Sequence, residues 1–224
     1  MKNLTLVVPA KREEESLPVV LRELKEYDCS IIVVLEETDH ATLQAIKDFN
    51  CKIVFQKGKG YGNAIIEGIN NVKTDFLCIF NADGSFEPKD LSKMLKLCED
   101  KDFVYASRYL KGAGSDDDTI ITIIGNFIFT LLGKIFFSLK LSDILYTYVL
   151  GKTKTFLSLN LESNDFCLCV ELPIKMNRNN AKYIDVPSHE RVRVHGVKKV
   201  REFRDGLKIL FGMIKFFFIS KVAK

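Results

Sequence analysis

The strongest restriction on the fold is an alternation that fills residues 4 to 107. Leu4–Val8, Ser30–Leu35, Phe76–Phe80 and Phe103–Ser107 are continuously apolar or nearly so, and Lys52–Phe55 is a shorter run. Runs apolar at successive rather than alternate positions read as strands buried on both faces. Helical spacing fills the gaps. Leu17, Val20, Leu21 and Leu24 follow the first run, with Pro18 in the first turn. Leu43, Ile46 and Phe49 follow the second, and helices are expected from about Ala64 to Asn71 and from Pro88 to Cys98. Strand and helix alternating four times build a parallel sheet with helices on both faces.

Ligands of such sheets sit just beyond the carboxyl ends of the strands. Three of these ends carry carboxylates: Glu13, Glu36 and Asp83, the last within Asn81-Ala82-Asp83-Gly84-Ser85. A core strand has no structural need for them. Gln56–Asn63 is glycine-rich and opens a helix. It reads either as a tight β–α turn or as a cradle in which Gly60 lets backbone N–H groups approach a diphosphate. It is not a Walker A loop, because no Gly-Lys-Ser/Thr closes it.

Beyond residue 110 the composition changes. Lys111–Asp118 reads as a flexible acidic loop. Ile120–Leu139 is apolar except for Thr122, Asn126, Thr130, Lys134 and Ser138, spaced four apart. On a helix these form one narrow polar stripe on a wide apolar surface. Three placements stay open: a helix lying on a membrane, a helix packed on the domain, or a span, since twenty residues cover about 30 Å. Ser142–Leu150 reads as a link, Glu171–Met176 as part of a helix, and Lys182–Val186 as a strand. Arg191, Arg193, Lys198 and Lys199 then form a cationic segment, either a solvated loop or an anion site. Leu207–Val222, apolar with Lys208, Lys215 and Lys221 interspersed, reads as a membrane-surface helix or a shortened anchor.

The formal charge of +4 comes without a long basic block, so no nucleic-acid partner is expected. Six scattered cysteines without a C-x-x-C, and few histidines, argue against zinc. With no secretory signal at the N-terminus, a reducing cytosolic setting is expected.

Several motifs, in order, resemble family 2 glycosyltransferases of the GT-A fold, and among them the polyprenyl-phosphate sugar transferases. Val7-Val8-Pro9-Ala10 with Glu13-Glu14 resembles the opening V-V-I-P-A-Y-N-E-E. Gly58–Ala64 with Gly68 resembles the G-x-G-x-A-x-x-x-G loop, and Asn81–Ser85 the D-A-D-G-Q metal motif. Ser107-Arg108-Tyr109 resembles G-S-R-Y, and Val186-Pro187 with Arg193–Lys199 the V-P…R-x-x-G-x-S-K segment. Asn81 stands where the family has an Asp, Ser85 where it has Gln, and Lys11-Arg12 where it has Tyr-Asn.

The resemblance implies a Rossmann-like, mostly parallel α/β sheet flanked by helices, with amphipathic membrane-surface helices. It implies a catalytic domain over 1–205, containing an interfacial helix at 119–140, and a membrane-associating helix over 206–224. Pro9, Lys11 and Glu13 would line the nucleotide base, with Glu36 on the base or ribose. Asp83 would bind Mg²⁺ or Mn²⁺ on the donor diphosphate, with Asn81 and Ser85 beside it. Arg108, Arg193 and Lys199 would hold the acceptor phosphate and the leaving diphosphate. The implied partners are a nucleotide-diphosphate sugar, a lipid phosphate and a membrane surface, with a homo-oligomer compatible. The implied location is peripheral, at the cytoplasmic face of the cell membrane. The implied reaction moves a hexose to a polyprenyl phosphate with inversion. A glycan or glycolipid hydroxyl acceptor is an alternative, with Asp165 or Glu171 as its base. A non-catalytic nucleotide-sugar-binding or membrane module is another, motivated by Asn81.

Overall fold

In the computed structural model, which describes residues 1–196 and 201–222, the five apolar runs are strands β1 (Leu4–Pro9), β2 (Ser30–Leu35), β3 (Lys52–Phe55), β4 (Phe76–Ile79) and β5 (Phe103–Ser107). Helices α1 (Leu17–Leu24), α2 (His40–Ala45), α3 (Tyr61–Ile69) and α4 (Asp90–Leu97) connect them. The chain continues through β6 (Gly114–Ser115), α5 (Ile120–Phe137), β7 (Val149–Lys152), α6 (Thr153–Ser158), α7 (Leu168–Arg178), β8 (Tyr183–Pro187), β9 (His189–Glu190) and α8 (Glu202–Val222). The main sheet has the order β3-β2-β1-β4-β7-β5-β8. Only β7 runs against its neighbours, and β6 pairs β9 in a small second sheet.

Continuous apolarity in the strands reflects cover on both sides. Leu4, Leu6 and Val8 of β1 face a layer with α1 and α4, while Val7 faces the α3 side with Ile32 and Val34. α3 lies close on β1 because Gly68 has no side chain: a Cβ there would stand 2.3 Å from Val7 Cγ1.

β7 corrects the reading of 142–150 as a link. Its four residues are too few to show a period, and Gly151 interrupts them. The glycine is required by packing, because a Cβ would lie 2.7 Å from the Asp102 carbonyl oxygen and 2.6 Å from the Phe103 ring. The acidic segment is also not a free loop. Asp116 pairs with His189, Asp117 with Arg193 and Asp118 with Arg108, so three consecutive aspartates are each tied to a different side chain.

α5 turns the middle of its polar stripe inward, at Asn126 and Thr130. Asn126 (3% exposed), Thr130 and Gly133 are its buried residues, while Phe127 (67% exposed), Ile124 and Ile135 face out. Thr122 belongs to the N-terminal capping box with Thr119, and Lys134 stays exposed. By length and composition α5 is long and apolar enough to cross a membrane. α8 packs on α5 and α7 through Ile209, Met213 and Phe216. It leaves Phe203, Leu207, Phe211 and Phe218 exposed, so the two helices present adjoining apolar surfaces.

Candidate active site

The Asp83 turn is locked from within. Asp83 Oδ1 accepts from the Ser85 N–H at 3.0 Å and from Ser85 Oγ at 2.7 Å, and Asn81 Nδ2 reaches Ser85 Oγ at 3.4 Å. The segment after β9 is strapped across this turn, with Arg191 N donating to Ser85 O and Val194 N to Asp83 O, both at 2.8 Å. Gly84 is needed twice: its φ is +81°, and a Cβ there would lie 2.6 Å from Val194 Cγ2.

The strap delivers Arg193 to Asp83. Its Nη1 lies 3.7 Å from Asp83 Oδ2 and its Nη2 lies 2.6 Å from Asp117 Oδ2. Burial works against the charge, but the Asp117 hydrogen bond and the fields of Asp117, Asp83 and Glu13 raise the guanidinium above its ordinary pKa. Arg191 points elsewhere, gripping both oxygens of Glu23 and the Phe86 carbonyl. Lys198 and Lys199 lie outside the described residues.

Pro9, Lys11, Glu13 and Glu36 lie together at the ends of β1 and β2. Pro9 ends β1, and Ala10 N bonds to Val34 O. Lys11 and Glu36 meet at 2.7 Å in an exposed pair, which is weak in solvent and open to exchange for a ligand. Glu13 is buried, takes a 2.5 Å bond from Ser16 Oγ and donates its N–H to Thr42 Oγ1. It fixes the loop to α2 while its charge acts on Arg193.

Two expectations change. Gly60 does not line an open cradle: a Cβ there would stand 2.4 Å from the Asn164 carbonyl oxygen, and one on Gly62 would stand 2.1 Å from that of Ser163. The Asn63 N–H near the start of α3 is taken by Asn164 O. The glycines admit segment 163–165, which buried Glu171 anchors by accepting from Glu162 N and Ser163 N.

Arg108 is likewise committed to the protein. It binds Asp143 through Nε and Nη2, and both Asp118 and Glu190 through Nη1 at 3.1 Å. Its guanidinium also stacks over Tyr146 and Tyr109. Burial opposes this charge too, yet the three carboxylates raise its pKa well above the ordinary value. In this arrangement four of the five N–H groups of Arg108 are bonded to carboxylates of the protein.

The donors around Asp83 suit a hard cation only in part. They are one carboxylate, an amide and a hydroxyl, and no group of three His, Cys, Asp or Glu side chains placed to hold a metal ion lies among the described residues. Mg²⁺ and Mn²⁺ accept such a site when the substrate's phosphate oxygens complete the shell. The residues therefore fit an ion that is shared with a diphosphate.

The family model for glycosyl transferase family 2 matches residues 5–157. The chain belongs to this family. It is 25% identical over 190 residues to glycosyltransferase AglJ of Haloferax volcanii, covering 82% of this chain but 61% of that protein's length. It is 26% identical over 201 residues to undecaprenyl-phosphate mannosyltransferase of Micrococcus luteus, covering 84% and 82%. The crystal structure of glucosyl-3-phosphoglycerate synthase from Mycobacterium tuberculosis, in complex with Mn²⁺, UDP and glucosyl-3-phosphoglycerate, superimposes with a TM-score of 0.73. It covers 96% of this chain and 80% of that one at 13% identity, a likeness of fold.

Within this family 2 domain, sequence reasoning missed Asp117, Asp118, Asp143 and Glu190. The Asp116–Asp118 run was visible as charge but not as structure, because its partners lie up to 76 residues away in the chain. Nothing local marks Asp143 or Glu190.

Proposed function

We propose that this domain transfers a hexose from a nucleotide-diphosphate sugar to a polyprenyl phosphate at the cytoplasmic face of a membrane, as a peripheral protein. The observation that carries the lipid part is the inverted helix α5, apolar outward and polar inward, with the apolar face of α8 beside it. A water-exposed helix has the reverse pattern, whereas a bilayer interface accepts an apolar face of this kind. A cleft of about 180 Å³ lies along α5, lined by the apolar Ile123, Phe127 and Leu131 as well as by Asn126, Thr130, Lys134, Tyr109 and Ser142. Both polar atoms of the Asn126 amide lack a partner there. Tyr109 in its wall donates to Asp118, next in sequence to the Asp117 that holds Arg193. The likeness to an undecaprenyl-phosphate mannosyltransferase supports the same acceptor.

A divalent ion on the diphosphate would neutralise charge developing on the leaving group. Asp83 would hold it, with Asn81 and Ser85 beside it, and Arg193 would bind phosphate oxygens. The Glu13 and Glu36 lip would take the nucleoside. A phosphomonoester is largely ionised near neutral pH, its second pKa being about 6, so it attacks the anomeric carbon without a general base. Asp165 suits that reaction. Burial tends to raise its carboxyl, but hydrogen bonds from Cys167 and the Lys208 charge hold it below the usual carboxylate range, which makes it a weak base.

The test is transfer from labelled nucleotide sugars to polyprenyl phosphate in vesicles. An acid-labile lipid phosphosugar is expected, with Asp165→Asn retaining most activity. A product only on hydroxyl acceptors, abolished by Asp165→Asn, would favour the glycan or glycolipid alternative. Ile124→Asp with Phe127→Asp should abolish vesicle binding without lowering thermal stability; unchanged binding would remove α5 from the membrane.

A further inference from the structure

Asp83 has two carboxylate oxygens with different fates. Oδ1 is consumed by the turn, through Ser85 N and Oγ. Oδ2, the oxygen left for a cation, faces the Arg193 guanidinium at 3.7 Å. The other end of the same guanidinium is bound to Asp117 at 2.6 Å. A positive group thus already stands between two carboxylates at the strand edge. The strap cannot easily drift away with it, because Arg191 N and Val194 N are tied to the backbone of the Asp83 turn and Arg191 is clamped to Glu23.

We propose that Arg193 is a resident cation covering the metal-facing oxygen of Asp83, so that a divalent ion and the donor diphosphate must enter together. This rests on the donor reading of this edge. Two positive charges on one carboxylate repel, and the low-dielectric surroundings strengthen that repulsion. An ion arriving alone meets Arg193. A diphosphate gives the guanidinium a better partner than Asp83, since its oxygens match the planar fork, and Oδ2 becomes free for the ion. Asp117 positions Arg193 by holding its far end, so the arginine pivots from Asp83 toward the diphosphate. The arrangement also gives a physical place to Asn81. With Asn81 in the turn, Asp83 is its one acidic group and the one that faces Arg193.

The experiment is titration of the full chain with Mn²⁺ alone, and with UDP and GDP in the presence and absence of Mn²⁺. Wild type should bind Mn²⁺ alone weakly. Arg193→Gln should bind it about tenfold more tightly, while losing affinity for the nucleotide diphosphate. Arg193→Lys, which keeps the charge, should stay within about twofold of wild type for Mn²⁺. Asp83→Asn in the Arg193→Gln background should erase the gain. Asp117→Asn, which leaves Arg193 with Asp83 as its anchor, should weaken Mn²⁺ binding, a change of opposite sign. Thermal unfolding of each variant verifies that it is folded. Unchanged or weaker Mn²⁺ binding in Arg193→Gln, or a gain that survives Asp83→Asn, would overturn the proposal. If neither nucleotide binds wild type with Mn²⁺, the donor reading fails on its own, and the Mn²⁺ series still decides whether Arg193 covers Asp83.

Discussion

Arg108 and Arg193 are two arginines expected from the sequence to bind phosphate, and they sit in opposite surroundings. Around Arg108, three carboxylates converge on one guanidinium, with Asp143 fully buried. Around Arg193, one tight and one long ion pair leave the guanidinium between partners at the strand edge. The two clusters adjoin through the Asp117–Asp118 peptide. The difference teaches that an arginine's role follows from how completely its charge is satisfied. A guanidinium with four of its N–H groups bonded to carboxylates of the protein joins elements together. One held by its far end can change partners.

The largest effect that could break this contrast is on stability. Arg108→Ala leaves buried Asp143 without its cation, and removing one partner of a buried pair costs about 3–5 kcal/mol. A matching fall in chemical-denaturation stability is expected; a loss below about 1 kcal/mol would mean that the cluster is not a structural joint. Asp83→Asn, which keeps an oxygen to accept from Ser85, is expected to act on chemistry, lowering transfer by at least about a hundredfold with a smaller effect on melting temperature than Arg108→Ala. Activity within a few-fold of wild type would remove Asp83 from the donor site.

A paired substitution sharpens the comparison at smaller scale. Lysine cannot reproduce the forked contacts of Arg108, so Arg108→Lys should cost about 1–3 kcal/mol. Arg193→Lys should cost less than about 1 kcal/mol, because its pairs are partly exposed. Equal losses in urea unfolding would erase the distinction.

The smallest effect is a pH slope. Burial raises the Glu190 carboxyl above its ordinary 4.5 even against the lowering influence of Arg108. The folded state then holds that proton more tightly than the unfolded chain. This contribution is full below the unfolded value and is lost as pH rises through the folded one. Wild type should therefore lose stability relative to Glu190→Gln over that interval. Melting curves between pH 4 and 7 would show a flat difference if Glu190 titrates normally.

Much of the fold was legible because its signals are local. Continuous apolarity in β1, β2, β4 and β5 is readable within five or six residues, and so is the helical spacing of α1. The position of Asp83 followed from the parallel sheet, and Asn81, Asp83, Ser85 and Arg193 do meet there. β7 was not legible, because four residues with a central glycine show no period and its antiparallel place depends on two strands far away in sequence. The glycine-rich loop was legible as a need for close approach but not as to what approaches. Asn164 lies 101 residues from its partner Asn63.

The sequence by itself determined the layered α/β sheet, the strand edge that carries Asp83 and the family to which the domain belongs, since these rest on periodicity and short motifs. Only the tertiary structure decided which charges are spent. It drew Asp118, Asp143 and Glu190 onto Arg108, left Arg193 between Asp83 and Asp117, and turned Asn126 and Thr130 of α5 inward. The physical reason is range. Burial patterns are set by neighbours along the chain, whereas the partner of a charge is set by whichever group the packed fold brings within a few ångströms.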